Sequence, residues 1–462
     1  MITLADAIIE ERMDDVIHRL QYREDINALD EYGFTPLIEA AIADNIEIAK
    51  ILIDYGADVN LQDATGGTAL QWTAENNNIP FTRLLLDKGA NPNGYTFAGQ
   101  PVLVMPLLRE QLALKNLLLQ YGARLDFAQD YINAKLLGHI FELVGTADMV
   151  DTKNNYVELD FEGFYLEFSL AIIAESVAQF RNHFAARHLR QYQRHSQLIV
   201  DVISRAARLA TYQQYRVDIK NHNEDINKLL KQEPLLMPVA YEGHAITFIK
   251  AGNIFVKCDR REDSRLYDNV MFYQITQPQR LTLDFIKEII FVKQSSDFIN
   301  TDLPDILGLE PITELKVTAQ ISGNCSWANV EACIPALLFL MFSQSSDFKD
   351  NISRYKNMAL NFFNQWREWN KTRALNFCIQ SFKYSDSLRK ACKAEILAAI
   401  LFQCCKDQSP LDKERSAEIL EILSLPNFRY VLENYIKSYV YEDQSEEGRA
   451  FMRMMQDYNF IK

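Results

Sequence analysis

No stretch of this sequence resembles a phosphate-binding glycine loop, and no Cys-x-x-Cys or His-x-x-x-His pair stands where metal ligands would. Neither a metal nor another cofactor is therefore expected. Cations are the scarcer charge: 48 Lys and Arg face 62 Asp and Glu, for a net charge of -14. Direct nucleic-acid binding over a broad surface needs clustered Lys and Arg, so it is not expected. The acid excess reads instead as a soluble, charged surface. No run of about 18 apolar residues stands out, so no membrane span is expected. The opening Met1-Ile2-Thr3-Leu4-Ala5-Asp6 reaches acidic residues at once, unlike a cleaved signal peptide. Cysteine is sparse and odd in number at seven, which points to free thiols in a reducing compartment.

What is present is a long, globular composition. Apolar residues make up 48% of 462, too many residues for one ordinary core, so two or three domains are expected. The first quarter repeats. Asn27, Asn60, Asn93 and Asp126 recur every 33 residues, and Gly56, Gly89 and Gly122 keep the same interval. Each glycine follows an apolar helical run, where a left-handed helix cap is needed. Thr35-Pro36-Leu37 starts a helix, and Thr68-Ala69-Leu70 does so one period later. This pattern resembles the ankyrin repeat, a helix pair and a turn per 33 residues. Residues 28–60 and 61–93 are good copies, 94–126 is degenerate around Pro101 and Pro106, and 1–27 reads as a capping repeat. Stacked repeats present a concave surface of turn tips and first helices, used in such folds for protein binding. Candidate partner contacts are Tyr32, Phe34, Glu39, Thr65, Gln71, Trp72, Glu75, Asn76 and Phe97. Trp72 is the strongest single anchor, with packing between repeats as its alternative role.

Beyond the repeats, two stretches carry chemistry. Residues Ser322 to Asn329 run loop, cysteine, helix, and a long apolar run follows from Val330 to Phe342. A thiol at a helix start faces unpaired N–H groups, which favour its thiolate. The other six cysteines, Cys258, Cys333, Cys378, Cys392, Cys404 and Cys405, read as small buried hydrophobes. Upstream, residues 244–259 read as a hairpin turning near Ala251-Gly252-Asn253. His244 opens one strand and Asp259 closes the other, so the carboxylate can orient the imidazole for a thiol at Cys325.

The hairpin resembles the His–Asn hairpin of papain-like cysteine peptidases, with Asp259 in the place of Asn. Cys325-Ser326-Trp327 resembles the start of that family's central helix. The order His, Asp, Cys makes this a circularly permuted version. The resemblance implies that Cys325 is the nucleophile, His244 its base and Asp259 the orienting group. Gln320, Asn324 or the Cys325 N–H would stabilise the oxyanion. A peptidase, a deamidase or a transglutaminase fits equally.

Between these parts, residues 136–145 and 156–164 alternate like half-buried strands, and His139 reads as structural. Helices are expected at 165–183 and 187–215; the second carries Arg187, His188, Arg190, Arg194 and His195, which read as a solvated face, with a phosphate or RNA contact as the weaker alternative. Strands are expected at 270–276 and 313–318, a helix at 283–292 and an exposed loop at 293–309. Pro335 should kink the apolar run. Further helices are expected at 347–367, 371–384, 385–405, 412–423 and 427–440. The tail carries Glu442-Asp443-Gln444-Ser445-Glu446-Glu447-Gly448 before a hydrophobic end. Such a tail resembles the translocation signal of type IV-secreted effectors. Together with the ankyrin array and the peptidase-like motifs, the chain resembles the secreted ankyrin effectors of Legionella-type bacteria, of the ankyrin H type. The resemblance implies an α+β multidomain protein: ankyrin repeats over 1–126, a permuted papain-like domain over 127–345, a helical region over 346–440 and a tail over 441–462. It implies delivery to a host cytosol or nucleus, a host protein held by the repeats, and a protein or peptide substrate. The alternative is a non-enzymatic scaffold with an inactive protease-like domain.

Overall fold

The computed structural model describes residues 3–22, 24–214, 217–260, 270–320, 323–405, 409–438 and 446–458. Four helix pairs form the N-terminal array: α1 (Leu4–Ile9) with α2 (Met13–Gln21), α3 (Pro36–Ile42) with α4 (Ile46–Asp54), α5 (Ala69–Glu75) with α6 (Ile79–Asp87), and α7 (Val104–Leu108) with α8 (Leu112–Gln120). Thr35 starts α3 by accepting the Ile38 N–H, with Pro36 at the first helical position. Thr68 and Gln71 form a reciprocal capping box at α5. Gly56, Gly89 and Gly122 all have positive φ, as the period requires. The repeated asparagines tie one repeat to the next. Asn27, Asn60 and Asn93 accept the N–H groups of Asp58, Asn91 and Arg124 at 2.9, 2.7 and 2.8 Å. These bonds fix the stacking distance, while Leu37, Ile38, Leu70 and Leu85 fill the core between helices.

The period ends in α9 (Leu125–Phe141), which covers residues expected to be a strand from 136. Buried residues surround this helix on several sides, so the apolar positions lose the one-sided period that marks a surface helix. Gly138 is needed there, since a Cβ would land 2.6 Å from the Phe161 ring. A two-stranded antiparallel hairpin follows, β1 (Thr146–Val150) and β2 (Tyr156–Asp160). Next come α10 (Leu166–Asn182), a 3-10 segment (Phe184–Tyr192) and α11 (Gln193–Thr211). One helix was expected over 187–215, whose last residue lies outside the described residues. Instead Ala186, Leu189 and Tyr192 are buried at intervals of three, the period of a 3-10 turn.

After α12 (Asn223–Leu230), five strands form an antiparallel meander: β3 (Leu235–Tyr241), β4 (His244–Ala251), β5 (Ile254–Cys258), β6 (Val270–Ile275) and β7 (Leu309–Leu315). The expected hairpin is β4–β5, turning at Gly252-Asn253. The last strand begins and ends earlier than 313–318. Between β6 and β7, α13 (Leu283–Phe291) matches the expected helix. The expected loop beyond it holds a π turn at Phe298–Asp302 and the short α14 (Leu303–Leu307), in which Pro304 suits the first turn and left-handed Gly308 closes the helix.

The apolar run is split into α15 (Cys325–Glu331) and α16 (Cys333–Phe342) at Ala332. Pro335 has no N–H and its ring crowds the carbonyl four residues earlier, so the break falls one turn upstream. Cys325–Phe342 is, among the described residues, the one helical stretch long and apolar enough to cross a membrane, and 89% of it is buried inside the protein. It is the core helix of this half. Helix α17 (Ile352–Tyr384) spans 33 residues where two helices were expected. It contains no glycine or proline to interrupt it, and Asn370 inside it accepts the Ser176 hydroxyl at 2.9 Å. Helices α18 (Ser387–Cys404), α19 (Pro410–Leu423), α20 (Arg429–Ile436) and α21 (Glu446–Asp457) complete the chain. Helix α18 is locked to α9 by Arg389 and Lys393 on buried Asp130, at 2.5 and 2.6 Å. Residues 442–445 of the acidic tail lie outside the described residues.

Candidate functional site

Strand β4 begins immediately after a two-residue turn, Glu242-Gly243, with φ of 45° and 78°. That is the turn geometry that matches strand twist, and it places His244 at the sheet's end. Asp259 follows the last residue of β5 on the neighbouring strand. Its Oδ1 lies 3.0 Å from His244 Nε2, and Lys257 Nζ lies 3.4 Å from its other oxygen. The Tyr241 ring meets the imidazole edge-on at 5.5 Å. With Nε2 engaged by Asp259, Nδ1 is the ring atom left for a second partner.

That partner is Cys325, the first residue of α15. Its Sγ accepts the Ala245 N–H at 3.3 Å and is hydrogen-bonded to the His244 ring. Burial pushes the thiol pKa up, but hydrogen bonds from His244, the Ala245 N–H and the Ser326 N–H, with the charge of His244, together outweigh it, and the net shift is downward. Elsewhere burial moves thiols the other way: it raises Cys258 and pushes Cys378, Cys392, Cys404 and Cys405 each up to about 12. Of the six cysteines other than Cys325, five are buried and Cys404 is half-buried. Position along the chain does not single out Cys325; its imidazole and amide neighbours do.

The loop before Cys325 is pinned from two sides. Gly323 has φ 76°, and a Cβ there would sit 2.4 Å from Glu162 Cγ. Its carbonyl accepts the Gly163 N–H at 3.0 Å. Ser322 lies outside the described residues. Asn324 is buried, and both ends of its amide engage His139: Oδ1 lies 2.6 Å from Nδ1, and Nδ2 donates to the carbonyl at 3.3 Å. Its side chain is thereby turned from the oxyanion role that the sequence left open to it. His139 is itself enclosed, stacked on Trp327 at 6.3 Å, and burial lowers its pKa to about 4. Gln320 donates its N–H to the Arg260 carbonyl at 2.8 Å, and its Oε1 is buried with no partner among the described residues.

Sequence reasoning missed the residues that hold this cluster together. Asn329 lies one turn beyond Cys325 on α15. Its Nδ2 donates to the Ala245 carbonyl at 2.6 Å, and its Oδ1 accepts the Arg260 N–H at 2.7 Å. One amide thus clamps the residue after His244 and the residue after Asp259 to the helix that carries the thiol. Thr247 adds a hydroxyl bond to the Asn329 carbonyl at 2.9 Å. Beneath it, fully buried Arg260 reaches Glu142 at 2.9 Å and Glu331 at 3.5 Å. Arg367 joins the same two carboxylates, and Trp327 donates to Glu331 at 2.7 Å. The available signal was Asn329 and Glu331 standing inside an otherwise apolar run, because buried polar groups require partners.

On the repeat surface, Tyr32 and Phe97 are 67% and 70% exposed. Phe34, Gln71, Trp72 and Glu75 are only partly exposed. Trp72 donates to Asp63 at 3.0 Å and meets Phe34 edge-on at 5.6 Å, so its indole packs between repeats. Gln71 is occupied by its capping box and by the Gln100 carbonyl at 3.1 Å. Glu75 faces Arg109 and Glu167, and burial raises its pKa. Thr65 binds Asp63 through its hydroxyl at 2.6 Å, Asn76 donates to the Ala41 carbonyl at 3.1 Å, and Glu39 is buried, which lifts its pKa to about 7. Among the described residues, no group of three or more His, Cys, Asp or Glu side chains could hold a metal ion.

Fold and site together define a class: ankyrin repeats joined to an α+β domain in which a His bridges an Asp and a Cys. The Ankyrin repeats family matches residues 4–96, in three copies. The solved structure of the Legionella effector AnkH is 41% identical to this chain, with a TM-score of 0.82, and the match covers 98% of this chain and 97% of that one. The chain belongs to the family of AnkH-type Legionella effectors. None of the curated proteins compared matches it.

Proposed function

We propose that this chain is an effector delivered into a host cell, by a type IV route, where its repeats dock a host protein and its Cys325 site performs acyl transfer on a protein or peptide. The observation that supports this most is the relay Asp259–His244–Cys325, with 3.0 Å between the first pair and a thiol shifted toward thiolate. In this reading His244 takes the Cys325 proton as Sγ attacks an acyl carbon. Asp259 keeps the imidazole oriented and stabilises the imidazolium. The first-turn N–H of Cys325 and Gln320 are the groups left to face the oxyanion. Imidazolium then protonates the departing amine, leaving a thioester. Water on that thioester gives a peptidase or deamidase, and a second amine gives a transglutaminase.

Full-length protein incubated with an electrophilic acyl probe should be labelled at Cys325, with the label absent in Cys325→Ala. Labelling that persists in that variant would remove the nucleophile assignment. A second reading, a scaffold whose domain is no longer catalytic, draws support from the Ala245 N–H already seated on Sγ. It predicts that wild-type protein stays unlabelled while host-protein capture is intact.

A further inference from the structure

Acidic residues are absent from one stretch of this acidic chain. Between Glu175 and Asp201 there is no Asp or Glu, yet the stretch holds four arginines and three of the seven histidines. The fold does not spread these charges around a single helix. The break between α10 and α11 gathers three of these arginines and one histidine around an open cleft of about 540 Å³, lined by Arg181, His183, Phe184, Arg187, Arg190 and Gln193. Arg187 and Arg190 are exposed. Neither has a carboxylate partner within ion-pair distance among the described residues.

The aromatic placement gives the cleft its second feature. Phe184 is 71% exposed, an unfavourable setting for a bare phenyl ring. The Arg187 guanidinium lies over that ring at 4.2 Å. Beside it the His183 ring rests against Trp369 at 5.5 Å, and Arg373 stands 5.4 Å over the same indole. Within the cleft itself, the exposed Phe184 and His183 rings stand beside the Arg187 and Arg190 side chains. The acids that flank the stretch in sequence each accept a glutamine amide: Asp201 from Gln197 at 2.7 Å, and Glu175 from Gln179 at 2.8 Å.

Exposed guanidinium groups beside an exposed aromatic ring match a ligand that combines phosphates with flat bases. Arginine contacts the backbone, and a base stacks on each ring without regard to its identity. A single phosphorylated side chain would leave the rings unused. A membrane surface would meet a convex basic face rather than a cleft. We propose that the α10–α11 elbow binds single-stranded nucleic acid through Arg187, Arg190 and the Phe184 ring. The chain's net charge of -14 then limits binding to this patch and makes it steeply salt-dependent. None of these residues belongs to the Cys325 site, so the two proposals stand or fall separately.

The test uses the full chain and a fluorescent 12-nucleotide oligouridine, read by anisotropy between about 50 and 200 mM salt. Binding should weaken at least roughly tenfold over that range. In Arg187→Ala/Arg190→Ala the plot of log affinity against log salt should flatten by about 1.4, the loss of two phosphate contacts on a single strand. Phe184→Ala should weaken binding roughly fivefold and leave that slope unchanged, as loss of stacking requires. Both substitutions alter exposed side chains, and a melting temperature equal to wild type confirms that the fold is kept. No binding at 50 mM salt, or binding unaffected by the arginine variant, would overturn the proposal. So would tighter binding to phosphatidylserine vesicles or to a phosphoserine peptide than to the oligonucleotide, which would assign the patch to those ligands.

Discussion

The repeat array and the Cys325 site are held together in different ways. In the array each contact is copied: the same asparagine bond recurs at 2.9, 2.7 and 2.8 Å, and similar apolar residues fill each interface. Support is distributed, as in any stack of nearest neighbours. At the site each contact occurs once. A single Asn329 amide ties two strand ends to a helix, over a single buried arginine–carboxylate cluster. A surface built by repetition tolerates change at its tips; a site built from unique buried polar bonds does not.

The contrast is easiest to break at Arg260, which is fully buried and charged. Arg260→Ala strands Glu142 and Glu331, though Arg367 still reaches both. It should cost about 3–5 kcal/mol in urea unfolding, the range for removing one partner of a buried pair. A loss below about 1 kcal/mol, the scale of an exposed pair, would show that the cluster is not what supports the site.

The His139 layer sharpens the contrast through pH. Its pKa falls from 6.5 toward about 4 because burial disfavours the charged ring. Between those values the unfolded chain binds a proton that the folded chain refuses, so stability falls as pH drops through that window. The single-group loss amounts to about 3 kcal/mol by pH 4. His139→Gln should flatten that part of the pH dependence of the urea midpoint. An unchanged slope would assign it to other groups.

The smallest effect on stability belongs to the repeat tips. Tyr32→Ala with Phe97→Ala should alter unfolding by about 0.5 kcal/mol or less, since both rings stand in solvent. Capture of the host partner by the full chain should nevertheless be lost. Retained capture would place the docking surface elsewhere on the array.

These differences also govern what the sequence could disclose. The array was legible because its signal repeats: Asn at 33-residue steps and glycine at helix ends each mark a backbone need. The β4–β5 hairpin was legible for a related reason, two β-rich runs around a Gly-Asn turn. His244, Asp259 and Cys325 followed from that hairpin and one cysteine context. The α9 helix was read as a strand because burial on several sides erased its period. Asn324 looked available because its partner, His139, lies 185 residues away in sequence. Asn329 was overlooked because its role depends on two strand ends that meet only in the fold. Local order was readable; unique long-range polar contacts were not.

The central claim is that Asp259, His244 and Cys325 act as one unit, and thiol alkylation against pH tests it most directly. Modification of Cys325 by iodoacetamide, followed by mass spectrometry in the native full chain, should rise at a pH below that of a free cysteine, near 8.5. His244→Ala should move that rise upward and slow the reaction near neutral pH roughly tenfold. A Cys325 that reacts no faster than a free thiol, with a profile indifferent to His244, would contradict the account.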